Sequence, residues 1–309
     1  MNVIFMGTPD FAVPTLTKLY EKGHDIKLVV TQPDKPSGRG KKIKKSAVKE
    51  KAEELGLNVF QPDKIKKQEN IEILKSCGAD VIVVVAYGQL LSKEILDMPQ
   101  YGCINIHASI LPKLRGAAPL NWALINGDKH AGVTTMMMDV GLDTGDMLLK
   151  DEIEVDRYMN VGQLHDTLME KGADLLIKTL EKIEDNSIVR TKQDEVLSTY
   201  APMLDKETQR INWHDSAENI HNLIRGLSPW PTAFFSLDGK TVKVYNSDFN
   251  DEETHHEPGY VTKIQKDGIY VSCKTGTLII KEMQMPGKNK VEVEAYLRGN
   301  NFPEKVMLK

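Results

Sequence analysis

The first half of the chain alternates short apolar runs with stretches whose apolar residues recur at helical spacing. Residues 3–6, 26–31 and 81–86 predict buried strands, and residues 11–22 and 46–55 predict amphipathic helices. Continuous Val and Ile runs separated by helices are typical of a parallel sheet that is covered on both faces. We therefore predict an α/β fold with an open, mostly parallel sheet of Rossmann type and helices on both faces.

The second half has a different pattern. A helix is predicted over residues 161–183, and a polar, irregular stretch follows it. Short strand-like runs then recur with Gly or Asp between them, at residues 233–237, 242–246, 259–264, 268–273 and 277–283. Short, regularly spaced strands favour a small barrel. We expect a first domain at 1–188, a linker at 189–206 and a smaller β-barrel domain at 207–309.

The composition is ordinary for a globular protein, with 40% hydrophobic and 27% charged residues. The longest strongly apolar run, residues 81–86, is too short to cross a bilayer, and the start of the chain lacks the pattern of a signal peptide. Cys77, Cys103 and Cys273 are widely spaced, which favours neither a disulfide framework nor a thiolate zinc site. We expect a cytoplasmic protein with no metal and no membrane segment.

An open α/β sheet binds ligands in the crevice beyond the carboxyl ends of its strands. The segments expected there are residues 7–10, 31–45, 87–91, 105–119 and 139–146. Residues 7–10 lack the later glycines of a dinucleotide-binding G-x-G-x-x-G motif, so bound NAD is not expected.

Asn105 and His107 lie two residues apart at the end of a predicted strand, so both side chains face the same side of the sheet. An amide can donate a hydrogen bond to a developing oxyanion, and an imidazole can donate a hydrogen bond or move a proton. The pair therefore suits acyl transfer. From spacing alone, two ordinary polar residues at a strand end remain an equal alternative.

The loop at residues 136–146 carries three carboxylates and two glycines after an apolar run. A carboxylate on such a loop can orient an imidazole and stabilise its charged form. Asp and Gly are also common turn residues, so a purely structural loop stays open. The three methionines at residues 136–138 are expected in the core.

Residues 35–45 carry six basic side chains and no acidic one, although the whole chain has a net charge of −4. Pro33, Pro36, Gly38 and Gly40 are expected to exclude helix and strand and to leave a loop there. A solvated surface loop and a contact with a polyanion are the two interpretations of this charge.

These motifs together resemble the folate-dependent formyltransferase family. The residues that carry the resemblance are Asn105-Ile106-His107, 109–112, Arg115-Gly116, Pro119 and 141–145. Residues 6–11, 31–34 with 38–41, and 228–233 resemble the branch of that family that formylates methionine on initiator tRNA. The resemblance covers essentially the whole chain.

The resemblance implies a formyl donor, 10-formyltetrahydrofolate, and a partner, initiator methionyl-tRNA, with no metal and no obligatory protein partner, so that a monomer is expected. It implies catalytic roles for Asn105, His107 and Asp143. The folate-binding residues that it implies are Tyr87, Gly88, Gln89, Leu90, Ser109, Ile110, Leu111, Pro112, Asp139 and Val140. The tRNA-binding residues that it implies are Lys35, Arg39, Lys41, Lys42, Lys44 and Lys45. The second domain is then an OB-like barrel that helps to hold the tRNA.

Three other functions are weighed against this one. The nearest is a different formyl-folate enzyme, either a transferase for a nucleotide or sugar amine or a hydrolase. The second is an RNA-binding protein without activity. A cysteine hydrolase using Cys103 and His107 is disfavoured, because residues four apart on one strand face lie too far apart for a nucleophile–base hydrogen bond.

Overall fold

A computed structural model describes residues 1–37 and 42–309. The strands are β1 (Asn2–Gly7), β2 (Asp25–Val30), β3 (Lys35–Ser37), β4 (Lys42–Lys44), β5 (Val59–Phe60), β6 (Val81–Val85), β7 (Cys103–His107), β8 (Arg115–Gly116), β9 (His130–Met137), β10 (Met147–Glu154), β11 (Tyr200–Ala201), β12 (Ala233–Leu237), β13 (Lys240–Asn250), β14 (Val261–Gln265), β15 (Gly268–Ser272), β16 (Thr277–Gln284) and β17 (Val291–Glu292). The α-helices are α1 (Val13–Glu21), α2 (Ala47–Glu54), α3 (Gln68–Ser76), α4 (Lys93–Leu96), α5 (Pro119–Ile125), α6 (Val161–Glu184), α7 (Lys206–Gln209), α8 (Ala217–Leu227) and α9 (Val293–Leu297).

The chain forms two compact units. The first contains residues 1–116, 131–153 and 165–200, and the second contains residues 117–130, 154–164 and 201–309.

A seven-stranded sheet organises the first unit, in the order β10-β9-β7-β6-β1-β2-β5. Strands β5, β2, β1, β6 and β7 are parallel, and β9 runs antiparallel to β7. Every residue of β6 is buried, so both faces of the sheet are covered. The predicted α/β fold with a mostly parallel sheet is confirmed.

The strand order of this sheet reverses at β1. From β1 the chain builds β2 and β5 on one side, and it then returns to add β6 and β7 on the other. Gly7 at the end of β1 is paired with Val85 at the end of β6. A reversal of this kind opens a crevice beyond the strand ends, which is where open α/β sheets bind ligands.

The basic segment after β2 contains a short antiparallel hairpin, in which β3 pairs with β4. The prediction that its prolines and glycines exclude strand structure is therefore wrong. Pro36 lies opposite Ile43 in a ribbon of only two strands, where an edge position tolerates a residue without an N–H. Arg39, Lys41 and the side chain of Lys42 lie outside the described residues.

The second unit is built on an antiparallel sheet in the order β12-β13-β16-β15-β14, with β17 paired to β16. Helix α8 buries Ile220, Ile224 and Leu227 in the core of this unit. The rings of Trp213 and Phe235 meet edge to face in the same core, with centroids 5.9 Å apart. The predicted strand-rich second domain is confirmed at this level.

None of the helices within the described residues combines the length and the apolar character that a membrane span requires.

Ile82, the second residue of β6, tests how much this sheet depends on its buried strand, because its side chain is 0% exposed. We expect Ile82→Ala to lower the free energy of unfolding of the first unit by about 2–5 kcal/mol through lost burial and a residual cavity. Ile73→Ala on α3, at a position 41% exposed, is the matched control and should cost about 1 kcal/mol or less. Urea denaturation measures both, and equal losses would contradict the assignment of Ile82 to the core.

Candidate active site

Asn105 and His107 lie on the last three residues of β7, between β6 and β9. Asn105 is paired with Val84 on one side and with Met136 on the other. The Asn105 side chain is half-buried, and no described residue makes a hydrogen bond with its amide. Its N–H groups are therefore available to a ligand.

The His107 ring is buried, and each of its nitrogens faces a different group. Nε2 lies 2.9 Å from the backbone oxygen of Leu114. Because a carbonyl oxygen can only accept, Nε2 must carry a proton, and Nδ1 is the nitrogen that can take up or release one. Nδ1 lies 3.6 Å from Oδ2 of Asp143. A proton on Nδ1 would thus sit beside a carboxylate that stabilises the imidazolium.

Asp143 reaches His107 by an indirect route. The expectation that its loop leaves the sheet at the carboxyl edge is wrong, because β9 is antiparallel and the N–H of Met138 donates to the oxygen of Cys103 at the start of β7. The loop returns to the site, where Oδ2 of Asp143 accepts a 2.9 Å hydrogen bond from the N–H of Gly116. Asp143 itself has a φ of 56°, in the left-handed region.

Asp139 has a different place in the same loop. Its Oδ1 accepts hydrogen bonds from the N–H of Gly141 at 3.0 Å and from Oγ1 of Thr144 at 2.6 Å. A Cβ at Gly145 would lie 1.9 Å from the backbone oxygen of Met137, so only glycine fits there. Asp139 and Gly145 thus shape the loop that presents Asp143.

Residues 109–112 form the turn between His107 and Leu114. The Ser109 hydroxyl donates to the oxygen of Lys113 at 2.6 Å, and Leu111 is buried in a small cluster with Met136. The peptide bond before Pro112 is cis. The side chains of Ser109 and Leu111 therefore hold this turn, and Ile110 is half-buried beside it.

Tyr87 is buried directly after β6. Its backbone oxygen accepts hydrogen bonds from Oγ1 of Thr8 at 2.9 Å and from Nε2 of Gln32 at 3.2 Å. The Tyr87 hydroxyl has no hydrogen-bond partner among the described residues, and burial raises its pKa to about 12. The residue is neutral, and it ties together the segments that follow β1, β2 and β6.

The next residues expose an apolar surface. Gly88 adopts a φ of 88°, in the region that favours glycine. The Gln89 side chain accepts from the N–H of Ile65 at 2.8 Å and donates to the oxygen of Pro62 at 3.1 Å, so it anchors the segment. Leu90 is 67% exposed.

The beginning of the Asp143 loop packs near the start of β7. Met138 packs against the core cluster that also contains Leu91, Leu96 and Cys103. Residues 138–140 line one pocket with Leu96, Asp97 and Cys103. Val140 is 78% exposed, like Leu90 an apolar side chain turned to solvent. Exposed apolar side chains such as these two can each contact a partly apolar ligand.

Cys103 is buried at the start of β7, and burial raises the pKa of its thiol to about 12. A thiolate nucleophile is therefore absent at neutral pH, and the cysteine hydrolase alternative is rejected. Among the described residues, no three or more His, Cys, Asp or Glu side chains come together in a way that could bind a metal ion.

Sequence reasoning missed the contribution of residues 193–199, which it placed in a polar linker. Gln193 contacts the Asp143 loop, Glu195 pairs with Arg115, and Thr199 contacts the backbone at Leu114. These side chains have no apolar periodicity and no glycine signature, so nothing in their local sequence marks them. Their contacts depend on the tertiary fold.

Known proteins resemble this chain over its whole length. A family described as "Formyl transferase" matches residues 1–180, and "Formyl transferase, C-terminal domain" matches residues 203–301. The chain is 51% identical to a methionyl-tRNA formyltransferase of Clostridium acetobutylicum over 310 residues, covering 100% of both chains. It is 51% identical to that of Alkaliphilus metalliredigens, covering 100% of this chain and 98% of the other.

Solved structures share the fold at low identity. The sugar 3N-formyl transferase WlaRD has a TM-score of 0.69 at 20% identity, covering 94% of this chain and 99% of the other. HypX from Aquifex aeolicus has a TM-score of 0.65 at 18% identity, covering 97% of this chain and 47% of the other. With the profile matches and the full-length relatives, the resemblance inferred from the sequence is confirmed: the chain belongs to the formyl transferase family.

Proposed function

We propose that this chain transfers the formyl group of 10-formyltetrahydrofolate to the α-amine of methionine on initiator methionyl-tRNA, in the cytoplasm. The observation that carries the proposal is the Asn105, His107 and Asp143 group, with Asp143 Oδ2 lying 3.6 Å from His107 Nδ1. It occurs in a chain about half identical over its full length to methionyl-tRNA formyltransferases, with 51% identity to that of Clostridium acetobutylicum. Those relatives favour this acceptor over a nucleotide or sugar amine.

Two of the segments assigned to the donor carry exposed apolar side chains. These are Leu90 and Val140, and the solved HypX and WlaRD structures contain tetrahydrofolic acid and 5-N-formyl-THF respectively. We assign the folate to the segments 87–90, 109–112 and 139–140. When bound, the folate supplies a formyl group whose carbonyl carbon accepts the amine.

The chain's residues act on charge and protons during the transfer. The amine nitrogen bonds to the formyl carbon and loses one proton, while the bond from that carbon to the folate nitrogen breaks and that nitrogen gains one proton. The Asn105 amide donates to the oxygen that becomes negative. Nδ1 of His107 is the ring nitrogen left for this work, because Nε2 is held by Leu114. Asp143 stabilises the imidazolium when Nδ1 carries its proton.

The basic hairpin supports an RNA partner. Lys35 and Lys44 lie directly opposite each other in β3 and β4, and both are exposed. Neither has an acidic partner among the described residues, whereas Lys45 pairs with Glu53 at 2.6 Å. Like charges placed opposite each other are unfavourable unless an anion lies between them. We assign Lys35, Lys44, Lys45 and the neighbouring Arg39, Lys41 and Lys42 to tRNA phosphates.

The second unit is the other part of the proposed RNA contact. We propose that its antiparallel sheet is part of an OB-like barrel, one face of which supports the tRNA. From Asp205 onward the chain has 14 Lys and Arg against 15 Asp and Glu, so this unit contributes a shaped surface rather than a strong positive field.

Asn105→Ala tests the oxyanion donor. We expect the fold to remain and the single-turnover formylation rate to fall roughly 10²–10³-fold, the usual loss when such a donor is removed. His107→Ala should cost on the order of 10²–10⁴-fold, because a proton carrier is also lost. Asn301→Ala, at an exposed position in the second unit, is the control. Near-normal rates in both site variants would disprove the assignment.

Asp143→Asn keeps the size of the side chain and removes its charge. If Asp143 acts through His107, formylation should fall roughly 10²–10⁴-fold. The formylation rate of the double variant with His107→Ala should then be only slightly lower than that of the less active single variant, because the two groups act as a unit. Steady-state rates on charged tRNA measure this, with Asp146→Asn as the comparison. Fully additive losses would mean that Asp143 has an independent role.

Arg39→Ala and Lys44→Ala test the basic segment, residues 35–45. Both should weaken formylation of charged tRNA, and each should reduce the slope of log affinity against log salt by about one unit. Formyl transfer to a small amine should stay unchanged, because it needs no phosphate contact. Lys75→Ala, at a lysine paired with Glu72 and Glu94, is the control. Equal losses with tRNA and with the small amine would mean that the hairpin shapes the folate site instead.

A further inference from the structure

The Asp143 loop has a backbone conformation that contacts from outside the loop stabilise. Asp143 has a φ of 56°, in the left-handed region that is less favourable for a residue with a Cβ than for glycine. Asp139 fixes the beginning of the loop through Gly141 and Thr144. These contacts do not reach the backbone oxygen of Asp143.

The Gln193 side chain makes that missing contact. Its Nε2 donates to the backbone oxygen of Asp143 at 2.7 Å and to that of Gly145 at 2.8 Å. One amide group thus uses both of its N–H bonds on the two oxygens that flank residue 144. The direction of the Asp143 carboxylate toward Gly116 and His107 is set by the backbone that this amide holds.

Gln193 is in turn held by Arg115, which is fully buried. Nε of Arg115 donates to Oε1 of Gln193 at 3.0 Å, and its Nη1 and Nη2 donate to the two oxygens of Glu195 at 2.9 and 2.8 Å. The Glu195 carboxylate raises the pKa of Arg115, and Arg115 lowers the pKa of Glu195, so both remain charged. A buried, bidentate guanidinium leaves Gln193 one orientation, with its N–H groups toward the loop.

The same segment holds the other side of the imidazole. Oγ1 of Thr199 accepts from the N–H of Leu114 at 2.9 Å, and the oxygen of Thr199 accepts from the N–H of Arg115 at 2.8 Å. Leu114 provides the oxygen that binds Nε2 of His107. Residues 193–199 therefore fix the partners of both ring nitrogens.

We propose that Gln193 is a positioning residue for formyl transfer, which holds Asp143 against His107 while Arg115 and Glu195 hold Gln193. This inference rests on the proposed function, since it assigns a purpose to Asp143 in that reaction. Gln193 touches neither the substrate nor the reacting atoms, and it acts through the backbone of the loop.

Gln193→Glu in the full chain tests the inference most directly. A carboxylate keeps the size and the acceptor for Arg115, but it loses both N–H donors to the loop. We expect kcat for tRNA formylation to fall roughly 10- to 100-fold, as is usual for a misplaced catalytic group, with KM for tRNA changed less than about threefold. The Gly116 amide, which donates to Asp143, should exchange its hydrogen at least roughly 10-fold faster.

Gln209→Glu is the matched control, because Gln209 also donates from Nε2 to a backbone oxygen, that of Asp205 at 2.8 Å. It should change neither kcat nor the exchange of the Gly116 amide. Gln193→Met, which lacks both donors and any charge, repeats the test if the Glu variant does not fold. Unchanged exchange at Gly116 in a folded Gln193 variant would overturn the inference.

The Asp143→Asn variant separates this inference from the proposed function. If Asp143→Asn is impaired and a folded Gln193 variant keeps the wild-type kcat, Gln193 is not a positioning residue and the proposed function stands. If Asp143→Asn itself keeps the wild-type rate, the assigned role of Asp143 fails, and the inference fails with it.

Discussion

The arrangement of the candidate site depends on one constraint, which is that the imidazole of His107 has a fixed partner at each nitrogen. Nε2 donates a hydrogen bond to the Leu114 oxygen, and the Asp143 carboxylate lies beside Nδ1. A free histidine would exchange its tautomers and rotate. Because Nε2 is held, Nδ1 is the nitrogen that can take up or release a proton in the proposed mechanism, and the Asp143 carboxylate stabilises the imidazolium that forms. Leu114 and Asp143, which provide these two partners, both have a positive φ, a less favourable backbone conformation for residues with a Cβ.

The part of the fold that local patterns determine could be predicted. The continuous apolar run of β6 identifies a strand buried on both faces, and two-residue spacing places Asn105 and His107 on one side of β7. The Asp143 loop was identified by its carboxylates and glycines, but its path was not. A sequence does not show that β9 is antiparallel, so it cannot show that the loop must fold back to reach His107.

The residues that hold the site were beyond prediction for a related reason. Gln193 lies 50 residues from Asp143 along the chain. A single polar side chain in an irregular segment forms no periodic pattern, so its contact with the loop cannot be predicted from the sequence. The sequence motif includes Arg115, but its burial and its ion pair with Glu195 depend on the tertiary fold. The hairpin of β3 and β4 was not predicted, because Pro36 disfavours a strand in the interior of a sheet, whereas this ribbon has two edge strands.

The division of charge follows from what the two substrates require. The proposed mechanism uses a carboxylate beside His107, and a carboxylate at the reacting centre repels the phosphates of a tRNA. A strongly positive centre would attract the RNA, but it would weaken the effect of Asp143 on the imidazolium. The chain keeps a net charge of −4 and concentrates six basic residues in residues 35–45. Salt weakens the field of exposed charges over about 10 Å, so basic residues concentrated in one segment can bind phosphate locally while the whole chain keeps a mildly negative charge.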